Sequence, residues 1–371
     1  MARRDSLGQV RPTQGKNAGL VGETSSHTDD GAQSGRRLTV KDVARVAGVS
    51  QATVSKALND SREVSLQTRE RVYAVAAGLG YRPNAIARSL KARQSHTLGV
   101  ITNDSDGLFT TTMVRGLAQV ASERGFGIFL CNSYDKPAKE RQHLELLLDK
   151  QVDGIVFVGF KVAERGAPAV ETRPIPVVYL YEYTRAIPSP CIVPDDEDGG
   201  RIATSHLMGL GRRRIGFING PPNYEATLLR LRGFKSALID GGFVFDPELV
   251  RTAPDWNQDS GFQLAGDMVR SGKQPDALFC GNDELAAGAI LGVREAGLRV
   301  PDDVSVVGFD DRPFAAHLPT SLSTVALPLF EMGQQAAEKL LGAIQGDTLG
   351  NEIIRVRCKL IIRQSCGGSA T

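Results

Sequence analysis

The sequence predicts a helical N-terminal module followed by an α/β body of two doubly wound lobes. Three observations carry this. Residues 36–97 hold 12 Lys/Arg against 4 Asp/Glu, whereas residues 98–371 hold 28 against 34, so a basic block is joined to a mildly acidic body. Residues 38–93 read as short helices with no strand-like run. From Leu98 onward, short apolar runs alternate with amphipathic stretches, the pattern of a parallel sheet built from βαβ units.

Residues 1–35 are rich in Ser, Gly, Thr and Gln and show no period, so they read as a disordered tail. The chain of 371 residues has 41% hydrophobic and 23% charged residues, an ordinary soluble composition. No apolar run approaches the roughly 20 residues of a membrane helix, and no signal-peptide core follows the N-terminal arginines. Five scattered cysteines form no C-x-x-C pair, and the five histidines show no metal spacing. A reducing cytoplasmic location fits, with no metal, no cofactor and no membrane partner expected.

Thr39 stands three residues before Asp42, a capping-box spacing that starts a helix ending at Gly48. Ser50 caps a second helix, Gln51–Leu58. Ala44, Gly48 and Val54 supply the small residue, the turn glycine and the buried apolar residue that two crossing helices need. Beside the excess of positive charge, this predicts a DNA-binding helix-turn-helix covering residues 36–83. The second helix then enters the major groove, where Gln51, Ala52 and Lys56 face base edges. Thr39, Ser50, Thr53, Ser55 and Asn59 suit phosphate contacts, which fix register without reading sequence. Leu66–Leu79 forms a third helix, with Leu66, Val72, Val75, Ala76 and Leu79 on its apolar face and Ser65 as cap. Arg82-Pro83 breaks the chain, and residues 84–97 read as a short helix and linker.

The body runs over residues 98–366. Strands are expected at Leu98–Thr102, Phe126–Cys131, Gly154–Val158, Val177–Tyr181, Arg214–Asn219, Ala277–Cys280 and Val304–Phe309, with amphipathic helices between most of them. About 270 residues hold twice the strands of one such sheet, hence two lobes. The first is placed at about 98–196 and 328–350, the second at about 197–327 and 351–366. Asp195, Asp196 and Asp311 are assigned to caps and turns.

The stretch from "LTVKDVARVAGVSQATVSKALN" through "GYRPNAIARSLK" resembles the DNA-binding end of the lactose-repressor/galactose-repressor family. "GFINGP", "RLRGF", "FCGNDELAAGAI" and "VSVVGFDD" continue that resemblance through the body, whose family core is similar to periplasmic sugar-binding proteins. The resemblance implies a hinge helix at Asn84–Arg93 that orders on DNA, with Leu90 wedged into the minor groove and Arg88 and Lys91 along it. It implies a small-molecule effector held by Arg230, Asp310, Asn282 and Trp256 from the second lobe. Asp104, Asp106, Phe109 and Tyr181 serve it from the first, although "NDSDGLF" departs from the family's usual loop. The alternative for Arg230 and Asp310 is a structural ion pair across the lobes.

A single helix-turn-helix reads half a site, so double-stranded pseudo-palindromic operators and a homodimer are expected. The resemblance places dimerisation in the core lobes, and no leucine-heptad tetramer tail follows Cys366. No phosphate-binding loop, dinucleotide fingerprint, metalloprotease motif or nucleophile elbow occurs, so an enzyme is not expected. The reading is a transcriptional regulator, a repressor whose operator affinity a saccharide effector changes. A corepressor that tightens DNA binding uses the same fold, and a cytosolic small-molecule-binding protein without a DNA role is the rival class.

Overall fold

The computed structural model describes residues 38–59, 63–81, 94–159, 161–162, 164, 175–185, 189–272 and 274–367. The tail and the hinge residues Arg88, Leu90 and Lys91 lie outside them. Two compact units divide the chain near residue 84.

The N-terminal unit holds three helices: α1 (Val40–Ala47), α2 (Gln51–Leu58) and α3 (Leu66–Gly78). Thr39 donates its N–H and its hydroxyl to the Asp42 carboxylate at 3.0 and 2.8 Å. Gly48 ends α1 at φ 63°, a left-handed conformation that costs glycine nothing. Ser50 Oγ accepts the Thr53 N–H and starts α2 after only a short turn. Val43, Ala44, Ala47, Val54, Ala57, Val64, Val72 and Ala76 form the core, small side chains that let three short helices approach closely. Leu66, expected on that apolar face, is instead 70% exposed at the first position of α3.

The second unit contains two six-stranded sheets. The first is built from β1 (Thr97–Thr102), β2 (Gly127–Asn132), β3 (Gly154–Val158), β4 (Val177–Leu180), β5 (Cys191–Pro194) and β11 (Ile353–Val356). Its order is β11-β5-β4-β3-β1-β2, all parallel. Helices α4 (Leu108–Glu123), α5 (Pro137–Asp149) and α10 (Leu329–Ile344) pack on it. The second sheet is built from β6 (Ile215–Asn219), β7 (Val250–Thr252), β8 (Ala277–Cys280), β9 (Ser305–Asp310), β10 (Ser323–Ala326) and β12 (Lys359–Ile361). Its order is β12-β10-β9-β8-β6-β7, parallel except for β12. Helices α6 (Asp196–Gly209), α7 (Glu225–Asp240), α8 (Gln258–Arg270) and α9 (Asp283–Glu295) belong with it. Fully buried strands such as Gly154–Val158 and Ile215–Asn219 carry continuous apolar runs because helices cover both faces.

The chain passes between the lobes three times: from β5 into α6, from β10 into α10, and from β11 into β12. The last passage corrects the assignment of 351–366 to the second lobe. Ile353–Val356 pairs in parallel with Cys191–Pro194 of the first sheet, and only Lys359–Ile361 joins the second.

Candidate functional site

In the N-terminal unit, Gln51, Ala52 and Lys56 lie exposed on α2, while Val54 is fully buried and Leu58 packs against the core. One face of this helix is therefore presented to solvent and the other is committed to the fold. Several expected phosphate donors are already engaged locally. Ser50 and Thr53 share a hydroxyl contact at 2.8 Å, and the Asn59 amide donates to the Ser55 carbonyl at 2.9 Å. Thr39 is tied to Asp42, and Ser55 is half-buried. Lys56 is ion-paired with Glu63, whose carboxyl it holds below the usual range through a side-chain hydrogen bond and its charge. An exposed pair of this kind contributes little to stability, so it yields readily to a stronger anion.

In the second unit, the topology fixes where a ligand can sit. Chain order reverses between β1 and β3 in the first sheet and between β6 and β8 in the second, and crevices open beyond the carboxyl ends of such strands. A cavity of about 250 Å³ lies there, between the lobes. Its walls follow strand ends in turn: Phe109 after β1, Lys161 after β3, Tyr181 after β4, Tyr224 after β6, Trp256 after β7, Asn282 after β8, and Asp310 at the end of β9.

Arg230 on α7 is 3% exposed, and its partners explain how a guanidinium survives there. Nε donates to Asp196 Oδ1 at 2.8 Å, Nη2 is ion-paired with the same oxygen at 2.7 Å, and Nη1 donates to the Gly281 carbonyl. Asp310 stands 3.6 Å from Nη2, and the Phe309 ring stacks 3.6 Å beneath Cζ. Burial opposes its charge, but Asp196 and Asp310 outweigh burial and hold it protonated. Arg230 and Asp310 thus belong to the same lobe and to one ion-pair cluster. Asp196, assigned to a cap, is a buried member of it: the adjacent Asp195 caps α6, while Asp196 turns inward.

Behind Asp310 lies Asp283, fully buried, accepting from the Thr324 hydroxyl at 2.5 Å and the Arg312 N–H at 2.6 Å. Burial raises its carboxyl to about 8, Asp310 adding to the rise. Burial likewise lifts Asp310 to about 7, against the pull of Arg230. Tyr181 is held well above its usual range, first by burial and then by Asp196 and Asp310. Asp310 at φ 105° and Tyr181 at φ 63° place backbone strain on the cavity wall.

These raised carboxyls have a consequence for stability. Both keep a proton in the fold that they lose near pH 4 when unfolded, so their contribution is full below about pH 4 and is lost as pH rises through about 7–8. In Asp283→Asn the stability difference between pH 6 and pH 8 should shrink relative to wild type, as read from denaturant midpoints. An unchanged difference would show that Asp283 titrates normally.

Of the residues expected at the effector site, Phe109, Tyr181, Arg230, Trp256, Asn282 and Asp310 line this one cavity. Asp106 does not: it is exposed and takes a hydrogen bond from the Ser105 hydroxyl. Asp104 accepts the Asp106 and Gly107 N–H groups and shapes the turn into α4. Asn282 divides its amide, capping α9 through Leu285 N–H and donating to the Trp256 carbonyl. The Trp256 ring covers Gly220, where an added Cβ would stand 2.2 Å from it. Sequence reasoning missed Lys161, Tyr224 and Arg312, all of which line the cavity. Their positions just past strand ends were the available signal. At the cleft, the Tyr183 hydroxyl donates to Glu225 at 2.7 Å, linking the first lobe to the start of α7.

Comparison with known proteins agrees with both parts of this description. A profile described as "Bacterial regulatory proteins, lacI family" matches residues 39–84, and one described as "Periplasmic binding protein-like domain" matches residues 204–366. The chain is 34% identical over 335 residues to catabolite control protein A of Priestia megaterium, covering 88% of this chain and 99% of that protein. It is 32% identical over 328 residues to the ribose operon repressor of Escherichia coli K12, covering 88% and 99%. Among solved structures it is similar to the Lac repressor dimer bound to operator and the anti-inducer ONPF, with TM-score 0.73, 30% identity and 89% and 99% coverage. It is also similar to a transcriptional regulator CelR–cellobiose complex, with TM-score 0.60, 30% identity and 89% and 100% coverage. These relatives are transcriptional regulators rather than enzymes, and no helix among the described residues is long and apolar enough to cross a membrane. With the family profile matched over residues 39–84 and relatives of this identity and coverage, the chain belongs to the lacI family of bacterial regulatory proteins.

Proposed function

We propose that this protein is an operator-binding transcriptional repressor whose DNA affinity is set by a small polyhydroxylated effector bound between the core lobes. The observation that carries the reading is the coexistence of an exposed α2 face with an aromatic-walled interlobe cavity, lined also by Asn282, Asp310 and Arg312, in the same chain. About 250 Å³ falls below the roughly 300–1,000 Å³ of sites for drug-sized ligands, so the cavity suits a ligand of monosaccharide size. Trp256 and Phe109 supply flat apolar faces, and Asp310 supplies an acceptor that Arg230 holds from behind. The CelR–cellobiose and ribose operon repressor relatives agree with a saccharide. Cytoplasmic placement follows from the DNA partner.

The operator is read by Gln51, Ala52 and Lys56, with Ser50, Thr53, Ser55, Asn59 and Thr39 at the backbone. Lys56→Ala should weaken operator binding by about 1–3 kcal/mol and relax preference at one symmetric base pair. A binding-site selection that ranks operator variants identically for wild type and Lys56→Ala would remove Lys56 from the base-reading set.

The homodimer is supported by β2, an edge strand on which Phe129 is 50% and Leu130 46% exposed. Exposed apolar edges invite pairing and are covered in stable proteins. Phe129→Lys with Leu130→Lys should shift the dimer to monomer at micromolar concentration in sedimentation velocity, leaving the far-UV spectrum unchanged.

A further inference from the structure

Among the cations that line the interlobe cavity, Arg230 is consumed by the fold, with Asp196 and Asp310 as its counter-charges. Two more among the described residues enter it from opposite lobes. Lys161 enters from the first lobe, its ammonium 5.5 Å from the Tyr224 ring centroid. Arg312 enters from the second lobe, immediately after β9. Its backbone is pinned by the Asp283 carboxylate at 2.6 Å, and its guanidinium lies over the Phe109 ring at 5.7 Å. No carboxylate among the described residues lies within ion-pair distance of that guanidinium, and its Nε is buried with no hydrogen-bond partner. Asp310, the one acid among the described residues on the cavity wall, already faces Arg230 and feels the charge of Arg312 only from beyond ion-pair distance. A neutral polyol offers Arg312 only hydroxyl acceptors. An oxyanion offers the planar acceptor pair that a guanidinium fork matches, in hydrogen bonds about twice as strong as neutral ones.

We propose that the effector carries an anionic oxygen group, as a sugar acid or a sugar phosphate does, seated on Arg312 with Lys161 facing it from the other lobe. This rests on the reading of the cavity as a saccharide effector site. Carboxylate and phosphoryl groups share the required chemistry, Arg312 acting as the fork and Lys161 as a point charge.

The test is calorimetric titration of the full chain, at fixed ionic strength, with glucose and galactose, their uronic acids, their 6-phosphates, inorganic phosphate and citrate. At least one acid or phosphate ester is expected to bind about tenfold or more tighter than its neutral parent. Arg312→Gln should bring the ratio of anionic to neutral affinity down to about twofold or less, and Arg312→Lys should keep part of the gain. Lys161→Gln, at the opposite wall, provides the same comparison if the Arg312 variants melt early by circular dichroism. A gain confined to the uronic acids identifies a carboxylate, and one confined to the esters a phosphoryl group. If a neutral sugar binds as tightly as its anionic forms, the saccharide reading stands and the anion assignment is overturned. If inorganic phosphate or citrate binds in an Arg312-dependent manner and no sugar does, the anion assignment stands and the saccharide reading fails. Absence of binding by every anion at millimolar concentration, or binding indifferent to both substitutions, also overturns the assignment.

Discussion

Arg230→Met is expected to lower the unfolding free energy by about 3–5 kcal/mol at neutral pH and to abolish the effector response. Methionine matches much of the arginine stem, so the loss is electrostatic rather than a cavity. Asp196 and Asp310, at 0% and 8% side-chain exposure, would be left facing each other without a cation. The hydrogen bonds that Arg230 donates to Asp196 and to the Gly281 carbonyl would vanish with it, as would the Nη2 ion pair with Asp196. Burial already pushes both carboxyls up, so the variant escapes part of the cost by taking up protons. Its deficit should therefore be smaller at pH 5 than at pH 8, and Arg230→Met with Asp196→Leu should recover part of it. Urea unfolding at both pH values measures this. A deficit under about 1 kcal/mol at pH 8 would mean that the cluster is solvated and does not hold the second lobe together.

Gly288→Val should cost about 1–3 kcal/mol or more, and at the upper end it prevents folding of the second lobe. A Cβ at this position of α9 would stand 1.9 Å from the Gln258 carbonyl oxygen of α8. The obstacle is backbone, which no rotamer change relieves. Neighbouring glycines repeat the contact, Gly292 against Phe262 and Gly261 against Leu285, so the two helices meet along a seam without side chains. Gly288→Ala should already be measurably destabilised, whereas Gly272→Ala, with nothing within 4 Å of the added Cβ, should be near neutral. Equal melting temperatures for Gly288→Ala and Gly272→Ala would show that the helices separate freely.

Local chemistry was the legible part of this protein. Thr39 with Asp42, Gly48, Ser50 and Val54 act within a few residues of one another, so spacing alone located α1 and α2. Arg230, Trp256, Asn282 and Asp310 were legible through the resemblance to the lactose-repressor family, and the structure gathers them into one place. What failed was set by distance along the chain. Nothing local distinguishes Asp196 from the neighbouring Asp195; only Arg230, 34 residues on, turns one of them inward. Ile353–Val356 and Lys359–Ile361 are too short for a period to say which sheet each joins. Asp106 failed because its loop folds on Asp104 rather than toward the cavity.

The three passages of chain between the lobes constrain how this body can move. A single strand joining two rigid halves permits swing, tilt and twist, whereas three side by side act as a strap hinge. Swing about the line through them bends all three alike, but twist would stretch the outer ones, and covalent backbone does not stretch. Effector occupancy is thereby converted into essentially one mechanical coordinate. One pair of fluorophores, placed on α5 and α8, should report the whole transition, and a second pair at other positions on the same lobes should give superimposable titration curves.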